Sequence, residues 1–468
     1  MGCATMAERG LFRNVQARQA PAISLGPEFT VQDKMMLHYD SRFKAILTRD
    51  GHGHIFVVDK VRTVHHLEVS GNEVLLRETL GSLGSDVHYF SRIDAVEYPK
   101  GALRVVAGDK MFMRSVHDVW AEIKGNRCER LIPVDDDLLC TFIAKGEDLG
   151  APKRTDYILG WFILVPVVLW SNVHAEKLVI AKESKDGWII MAVLDPEAEL
   201  SARSDYVLGA DRRGLQFLYR SSGGSYGFIV GFGGYSGVIG WDNISEQQIS
   251  YARIDYEMLF QRSSGSDTGS KDPPVGWLRV AGKPLSTPPF IVKPLNPKFF
   301  WQDSLDRRFT VNGASGDIEG LVQVSYHFTM DDGLRKIAVR GGEGYPWAEI
   351  RINGDSWVPR FEIVAAEDLP DPGYDWSSGA LIMSDVQGNN HVLLRRVKPG
   401  FWTTSFEICY FLKTAAGWSA PVVLGGNVSQ CDCRDLAVDD KGNILAIWMD
   451  TNDAVKGRWI LNQKKSPL

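Results

Sequence analysis

The chain has 468 residues, 44% of them hydrophobic and 24% charged, with a formal net charge of −6. This is the composition of a globular protein that can bury a large core, and the negative balance argues against a nucleic-acid binder, which carries a basic excess or stripe. Six cysteines in this length are too few for a disulfide scaffold.

Residues 1–28 read as a tail. Met1-Gly2-Cys3-Ala4-Thr5 has no apolar stretch behind it and so is not a signal peptide as it stands. A small residue followed by Cys and then Ala-Thr nevertheless resembles the end of a bacterial lipoprotein signal, with Cys3 the lipidated residue. A periplasmic or cell-surface protein, anchored by lipid at Cys3, is the expectation; an ordinary cytoplasmic start is the alternative. Met6 stands where N-myristoylation wants Ser or Thr.

From 29 to 462 strand patterns dominate and helical periodicity is scarce. Asp50 to Gly53 reads Asp-x-x-Gly between Lys44–Leu47 and Ile55–Val58, and the pattern returns at Asp211–Gly214, Asp385–Gly388 and Asp439–Gly442. An Asp at the first turn position bonds the backbone two residues on, and a Gly supplies positive φ. Weaker copies are Tyr98-Pro99-Lys100-Gly101, Asp135-Asp136-Asp137 and Asp331-Asp332-Gly333. His52, His54, His65 and His66 are the close histidine pairs, and turn and strand-surface positions are their default. Cys128 and Cys140 can bridge if they lie on neighbouring strands. Tyr157 to Trp170 is a 14-residue apolar run broken by Pro166. That is short of the ~20 a membrane helix needs and reads as one or two buried strands. Ser221 to Trp241 holds eight Gly in 21 residues; without a following Lys-Ser/Thr it reads as a twisted hairpin and not a phosphate loop. An insertion falls at about 256–300, with a flexible Ser263–Pro274 and an extended, Pro-rich Pro284–Asn296. Cys431-Asp432-Cys433 has the wrong spacing for a zinc knuckle.

Hairpins near 50, 98, 135, 211, 331, 385 and 439 make seven units. The last step is 54 residues, against ~40 to 50 for a four-stranded blade. The steps of 76 and 120 imply insertions, or a missed blade in the longest gap. Trp188, Trp357 and Trp418 each follow a Gly or Asp-Ser and precede a turn Asp by 21 to 28 residues, which gives Trp one station, on an outer strand between sheets. The fold class is therefore all-β: one β-propeller over 29–462, read as seven blades, with six to eight compatible. Ring closure is expected to pair the last hairpin with residues around Phe29 to His38.

Gly417 to Trp448, with GWSAPVVLGG and DLAVDDKGNILAIW, resembles the repeat unit of sialidase-like bacterial β-propellers, as does Ser184 to Asp255, and the rest of the chain resembles it loosely. The resemblance implies a central axis with ligands bound on one face beside it. It does not extend to sialidase chemistry, because Ser184–Trp188 is a shortened Asp-box and the Arg-Ile-Pro motif is missing.

In such a ring, residues just before each innermost strand meet at one channel mouth. The candidates there are Arg42, Arg92 with Asp94, Arg203 with Asp205, Asp375 with Trp376, and Arg434 with Asp435. Arg forks suit carboxylate or sulfate, paired carboxylates suit glycoside hydrolysis, and the same residues can simply tie blades together. No nucleophile elbow, Walker loop, His-Glu-x-x-His or haem motif is present. The leading expectation is a non-catalytic binding or scaffold protein for a carbohydrate or anionic ligand. A sialidase-like glycoside hydrolase, another carbohydrate-active enzyme, and a protein-interaction platform are the alternatives. Partners are a glycan or protein and no nucleic acid, with a membrane reached only through the lipid anchor. No cofactor and no metal are expected.

Overall fold

The computed structural model describes residues 23–37, 43–84, 93–108, 110–115, 119–123, 128–145, 155–162, 165–172, 176–184, 187–194, 206–211, 213–221, 225–232, 235–242, 248–261, 291–294, 309–323, 328–331, 336–339, 347–352, 361–365, 380–398, 405–429 and 433–461. Among them strand follows strand, and the one helix is Tyr256–Gln261. The residue pattern dictates this. In Gly53–Val58, Ile55 and Val57 join the apolar cluster on one side of the strand and Phe56 the cluster on the other, all three fully buried. A strand buried on both faces belongs to a sheet packed between two others.

Among the described residues, seven sheets of antiparallel strands follow one another along the chain. The first is Phe43–Leu47, Gly53–Val58, Thr63–Ser70 and Glu73–Ser82; the second Ile93–Glu97, Leu103–Ala107, Lys110–Arg114 and Trp120–Ile123. The third is Arg130–Val134, Asp137–Lys145, Glu176–Ser184 and Gly187–Leu194, and the fourth has three strands, Tyr206–Ala210, Gly214–Ser221 and Gln248–Asp255. The fifth is Phe309–Val311, Ile318–Gln323, Trp347–Ile352 and Phe361–Ala365. The sixth runs Leu381–Ser384, Asn390–Lys398 and Ser405–Thr414, with Gly417–Trp418 and Val422–Val428 both on the edge of Ser405–Thr414. The seventh takes Arg434–Val438, Ile444–Met449 and Val455–Leu461 from the C-terminal end and Ser24–Gln32 from the N-terminal end.

The first strands lie against one another from the seventh sheet through the first and second to the third, and from the fourth through the fifth and sixth to the seventh. The third and fourth sheets share a cluster containing Ile132, Leu139, Ile180, Tyr206 and Phe217, where the Tyr206 hydroxyl meets Thr141 Oγ1 at 2.8 Å. Antiparallel sheets set radially with their first strands at the axis form a β-propeller. Closure follows the expected route, with Ser24–Gln32 as the observed strand. Burying a Phe56-sized side chain between sheets contributes about 1.5–3 kcal/mol, and apolar clusters also join the seventh sheet to the first, the second to the third, the fifth to the sixth and the sixth to the seventh.

The turns follow the sequence with three corrections. Asp385 Oδ1 accepts the N–H groups of Gln387 and Asn389 at 2.9 and 2.8 Å, and Asp439 Oδ1 those of Lys441 and Asn443 at 2.9 and 2.7 Å, with Gly388 at φ +82° and Gly442 at +80°. In the first sheet the positive φ falls at Gly51, +90°, and not at Gly53. Gly214 answers a close approach instead: a Cβ there would lie 2.2 Å from the Ile254 carbonyl oxygen. The hairpin near 331 does not open a blade, because Phe328–Asp331 lies between Ile291–Pro294 and Lys336–Val339 in a separate sheet. The fifth sheet opens at Asn312, whose Oδ1 accepts the N–H groups of Ala314 and Ser315 at 3.0 Å.

The apolar run forms Thr155–Phe162 and Val165–Asn172, and the Gly-rich segment forms the expected hairpin, Ser225–Phe232 with Tyr235–Asp242. The two hairpins leave the third and fourth sheets between their second and third strands and join in one four-stranded sheet. The burial expected for Tyr157–Trp170 concerns side chains outside the described residues. Trp188 and Trp418 stand on outer strands against apolar clusters, as expected; Trp357 lies outside the described residues. No helix is long and apolar enough to cross a membrane among the described residues.

Candidate functional site

Of the predicted axial residues, Asp94, Arg434 and Asp435 are described; Arg42, Arg92, Arg203, Asp205, Asp375 and Trp376 lie outside the described residues, as does Cys3. The three stand inside the first strands and not ahead of them, because Arg434 opens its strand and Asp94 and Asp435 are each second in theirs. All three are buried. Asp435 Oδ2 accepts the N–H of Ala45 in the next sheet at 2.6 Å, and Asp94 Oδ2 accepts that of Leu131 at 2.9 Å. Between them Lys44 Nζ reaches Asp94 Oδ1 at 2.8 Å. Thus a polar row crosses from the seventh sheet through the first and second to the third.

Sequence reasoning missed Lys44 and Arg130. The signal was present: Lys44, like Asp94 and Asp435, is the second residue of a first strand. Burial by itself raises the Asp94 pKa, but the charges of Lys44 and Arg130 and the bonds from Lys44 and Leu131 outweigh it and hold the carboxyl below its usual range. Burial likewise opposes the charge on Lys44, and Asp94 and Asp435 outweigh it and raise the ammonium pKa. A carboxylate so held keeps no proton at neutral pH, so Asp94 cannot serve as a general acid. The row can bind charge and join sheets.

A second polar group lies between the first and second sheets. His54 and Phe56 share one strand face, and their cross-strand partners are Glu68 and His66; Glu78 follows opposite His66. His54 Nδ1 is 3.0 Å from His66 Nε2 and 3.8 Å from Glu68 Oε2. His66 Nδ1 meets Glu78 Oε1 at 2.7 Å, and Trp120 Nε1 donates to the same oxygen at 2.6 Å. His54 Nε2 lies 3.2 Å from Thr48 Oγ1, itself 2.6 Å from Asp50 Oδ1. Glu68 Oε1 is 2.7 Å from His52 Nδ1, and Arg114 Nη1 reaches Oε2 at 2.9 Å. Phe56 stacks on His66, with Trp120 edge-on to both. His66 is 0% and His54 4% exposed, so both imidazoles are buried, His66 against the rings of Phe56 and Trp120. Burial and then the neighbouring His66 push His54 down to about 3. Burial also lowers His66, against the pull of Glu78. Glu68 is held below its usual range because the bonds from Arg114 and His52 outweigh burial. Sequence offered the four histidines without Glu68, yet the three that converge are in phase with core residues: His54 with Phe56, His66 and Glu68 with Val64.

The sixth sheet places a histidine at the same station. His391 Nδ1 meets the Tyr410 hydroxyl at 2.7 Å and Nε2 meets Asp385 Oδ2 at 3.3 Å, all buried. Burial and then Asp385 raise the Tyr410 phenol, whereas Asp385 is lowered because the bonds from His391 and Asn389 outweigh its burial.

No family model and no curated protein matches the sequence. Among solved structures, the chain is similar to an Aleuria aurantia lectin described as a six-bladed β-propeller, over 83% of this chain and 97% of that one, at 11% identity and a TM-score of 0.32. It is also similar to an ulvan lyase of a polysaccharide lyase family (93% and 95% covered, 10% identity, TM-score 0.41). A third is the WD40 domain of SCAP from fission yeast (98% and 96% covered, 10% identity, TM-score 0.31). Likeness this distant says nothing of activity or ligand, and the propeller rests on the sheet order above.

Proposed function

We propose that the protein is a non-catalytic, seven-bladed propeller of sialidase-like ancestry that binds an anionic ligand, a charged glycan, on the axial face where the first strands converge. The observation that carries this reading is the state of the axial carboxylates. Asp94 and Asp435 are occupied by N–H donors of the next sheet, and Asp94 is further held ionised by Lys44. A glycosidase pair needs one carboxyl kept protonated, and the pull on Asp94 runs the other way. Lys44, Arg130 and Arg434 supply fixed positive charge along the same row, and Arg42, Arg92 and Arg203 precede first strands in sequence. That bias suits sulfate or uronate groups. Export is part of the proposal, with Cys3 as the lipid anchor. A bond between Cys128 and Cys140 supports an oxidising compartment.

A glycan array carrying sulfated, uronate-bearing and neutral sugars tests this, with wild type and Lys44→Met side by side. The expected result is binding confined to charged glycans and weakened about tenfold in the variant, equivalent to ~1.4 kcal/mol. Equal signals from both proteins, or none from either, would remove the reading.

A further inference from the structure

We propose that His54, His66 and Glu68 form a structural site for a divalent transition metal of the zinc type, bound by Nδ1 of His54, Nε2 of His66 and a carboxylate oxygen of Glu68. The site is separate from the axial row and stands without it.

Hydrogen-bond accounting carries the inference. Glu78 can only accept, so Nδ1 of His66 carries its proton and Nε2 presents a lone pair. On the far side, Asp50 draws the Thr48 hydroxyl proton across 2.6 Å. Thr48 Oγ1 then accepts from Nε2–H of His54, which leaves Nδ1 of His54 with a lone pair as well. Two ring nitrogens thus face each other at 3.0 Å, with a Glu68 oxygen 3.8 Å from one of them. Lone pairs so placed repel unless a cation lies between them. A proton is a poor candidate, since a charged imidazole buried here has lost its water. A metal ion fits the spacing. Ligands at 2.0–2.1 Å in a tetrahedron stand about 3.3 Å apart, and the three donor atoms lie within 4.8 Å of one another.

The surroundings are those a metal site uses. Each imidazole has its second nitrogen fixed by an oxygen, one of them a carboxylate, which sets tautomer and ring direction. Glu78 is in turn held by Trp120 Nε1. Two imidazoles with one carboxylate favour zinc over the hard cations, which want oxygen ligands throughout. Arg114 is the charge that opposes a cation here, and Glu78 and Asp50 act on the rings with the opposite sign. His52, a third exposed and hydrogen-bonded to Glu68, marks the solvent side. The metal would pin the second and third strands of the first sheet where they meet the second sheet.

The test uses untagged full-length protein, stripped with a chelator and titrated with zinc chloride by calorimetry, then with cobalt(II) followed by visible absorption. One equivalent per chain, a higher melting temperature and the intense visible bands of four-coordinate cobalt, with water entering from the His52 side as the fourth ligand, are expected. His54→Gln should abolish all three. Glu78→Gln leaves every ligand in place and should weaken zinc 10–100-fold by freeing the His66 ring, which guards against loss of folding in the first variant. No stoichiometric binding, a cobalt spectrum like that of the aqueous ion, or unchanged affinity in Glu78→Gln would each overturn the proposal.

Discussion

The first and sixth sheets place a histidine at the same station, second in the second strand and turned toward the hairpin. Their partners differ. His391 lies between a phenol that donates and a carboxylate that accepts, so one neutral tautomer satisfies the whole group. His54 lies between a hydroxyl and a second imidazole, with a carboxylate oxygen nearby, and in the proposed tautomers three acceptors converge. The lesson is that residue type at a repeated position does not decide its role. The complement of donors and acceptors around it does, and in a propeller each sheet supplies a different complement to the same scaffold point.

The largest expected effect that separates the two sheets comes from His391→Leu. It strips Tyr410 and Asp385 of a buried partner and should cost about 2–3 kcal/mol in chemical denaturation. In chelator, His66→Leu should cost about 1–2 kcal/mol, because Glu78 is partly exposed and keeps Trp120. A reversed order would break the contrast. Next comes acid stability. The Asp385 pKa is lowered by folding, so its contribution is complete above the unfolded value of about 3.9 and fades as pH falls through the lower folded value. Asp385→Asn should therefore flatten the loss of stability below about pH 4, measured as denaturation midpoint against pH. The smallest effect concerns the turn glycines. Gly388→Ala would press a Cβ to 2.8 Å from both Ala314 and Asn312, whereas one at Gly51 meets nothing within 4 Å. Both carry positive φ and should cost about 1 kcal/mol for it, with Gly388→Ala losing more in thermal melts.

Much of the architecture was legible because propeller strands obey a period of two on both faces and their turns use Asp and Gly for stated physical reasons. Ile55, Phe56 and Val57 show the first, Asp385 with Gly388 the second. The fifth sheet was harder to read because Asn312 replaces Asp, while Asp331-Asp332-Gly333 imitates the motif inside an inserted sheet. The axial row was half legible: Asp94 and Asp435 stand out as acids beside arginines, but Lys44 follows Phe43 without an acidic neighbour. The convergence of His54 with His66 and Glu68 depends on register, which sets His54 opposite Glu68 and diagonal to His66. Composition and local spacing do not fix that pairing.

The seventh sheet takes its outer strand, Ser24–Gln32, from one end of the chain and the other three from the opposite end. During synthesis the ring must therefore stay an open arc until Val455–Leu461 has left the ribosome. An arc left open bares two sheet faces at the gap, each a template for a neighbouring molecule. Moving the first strand to follow residue 461, as a circular permutant, would let the latch form locally and shorten the interval of exposure.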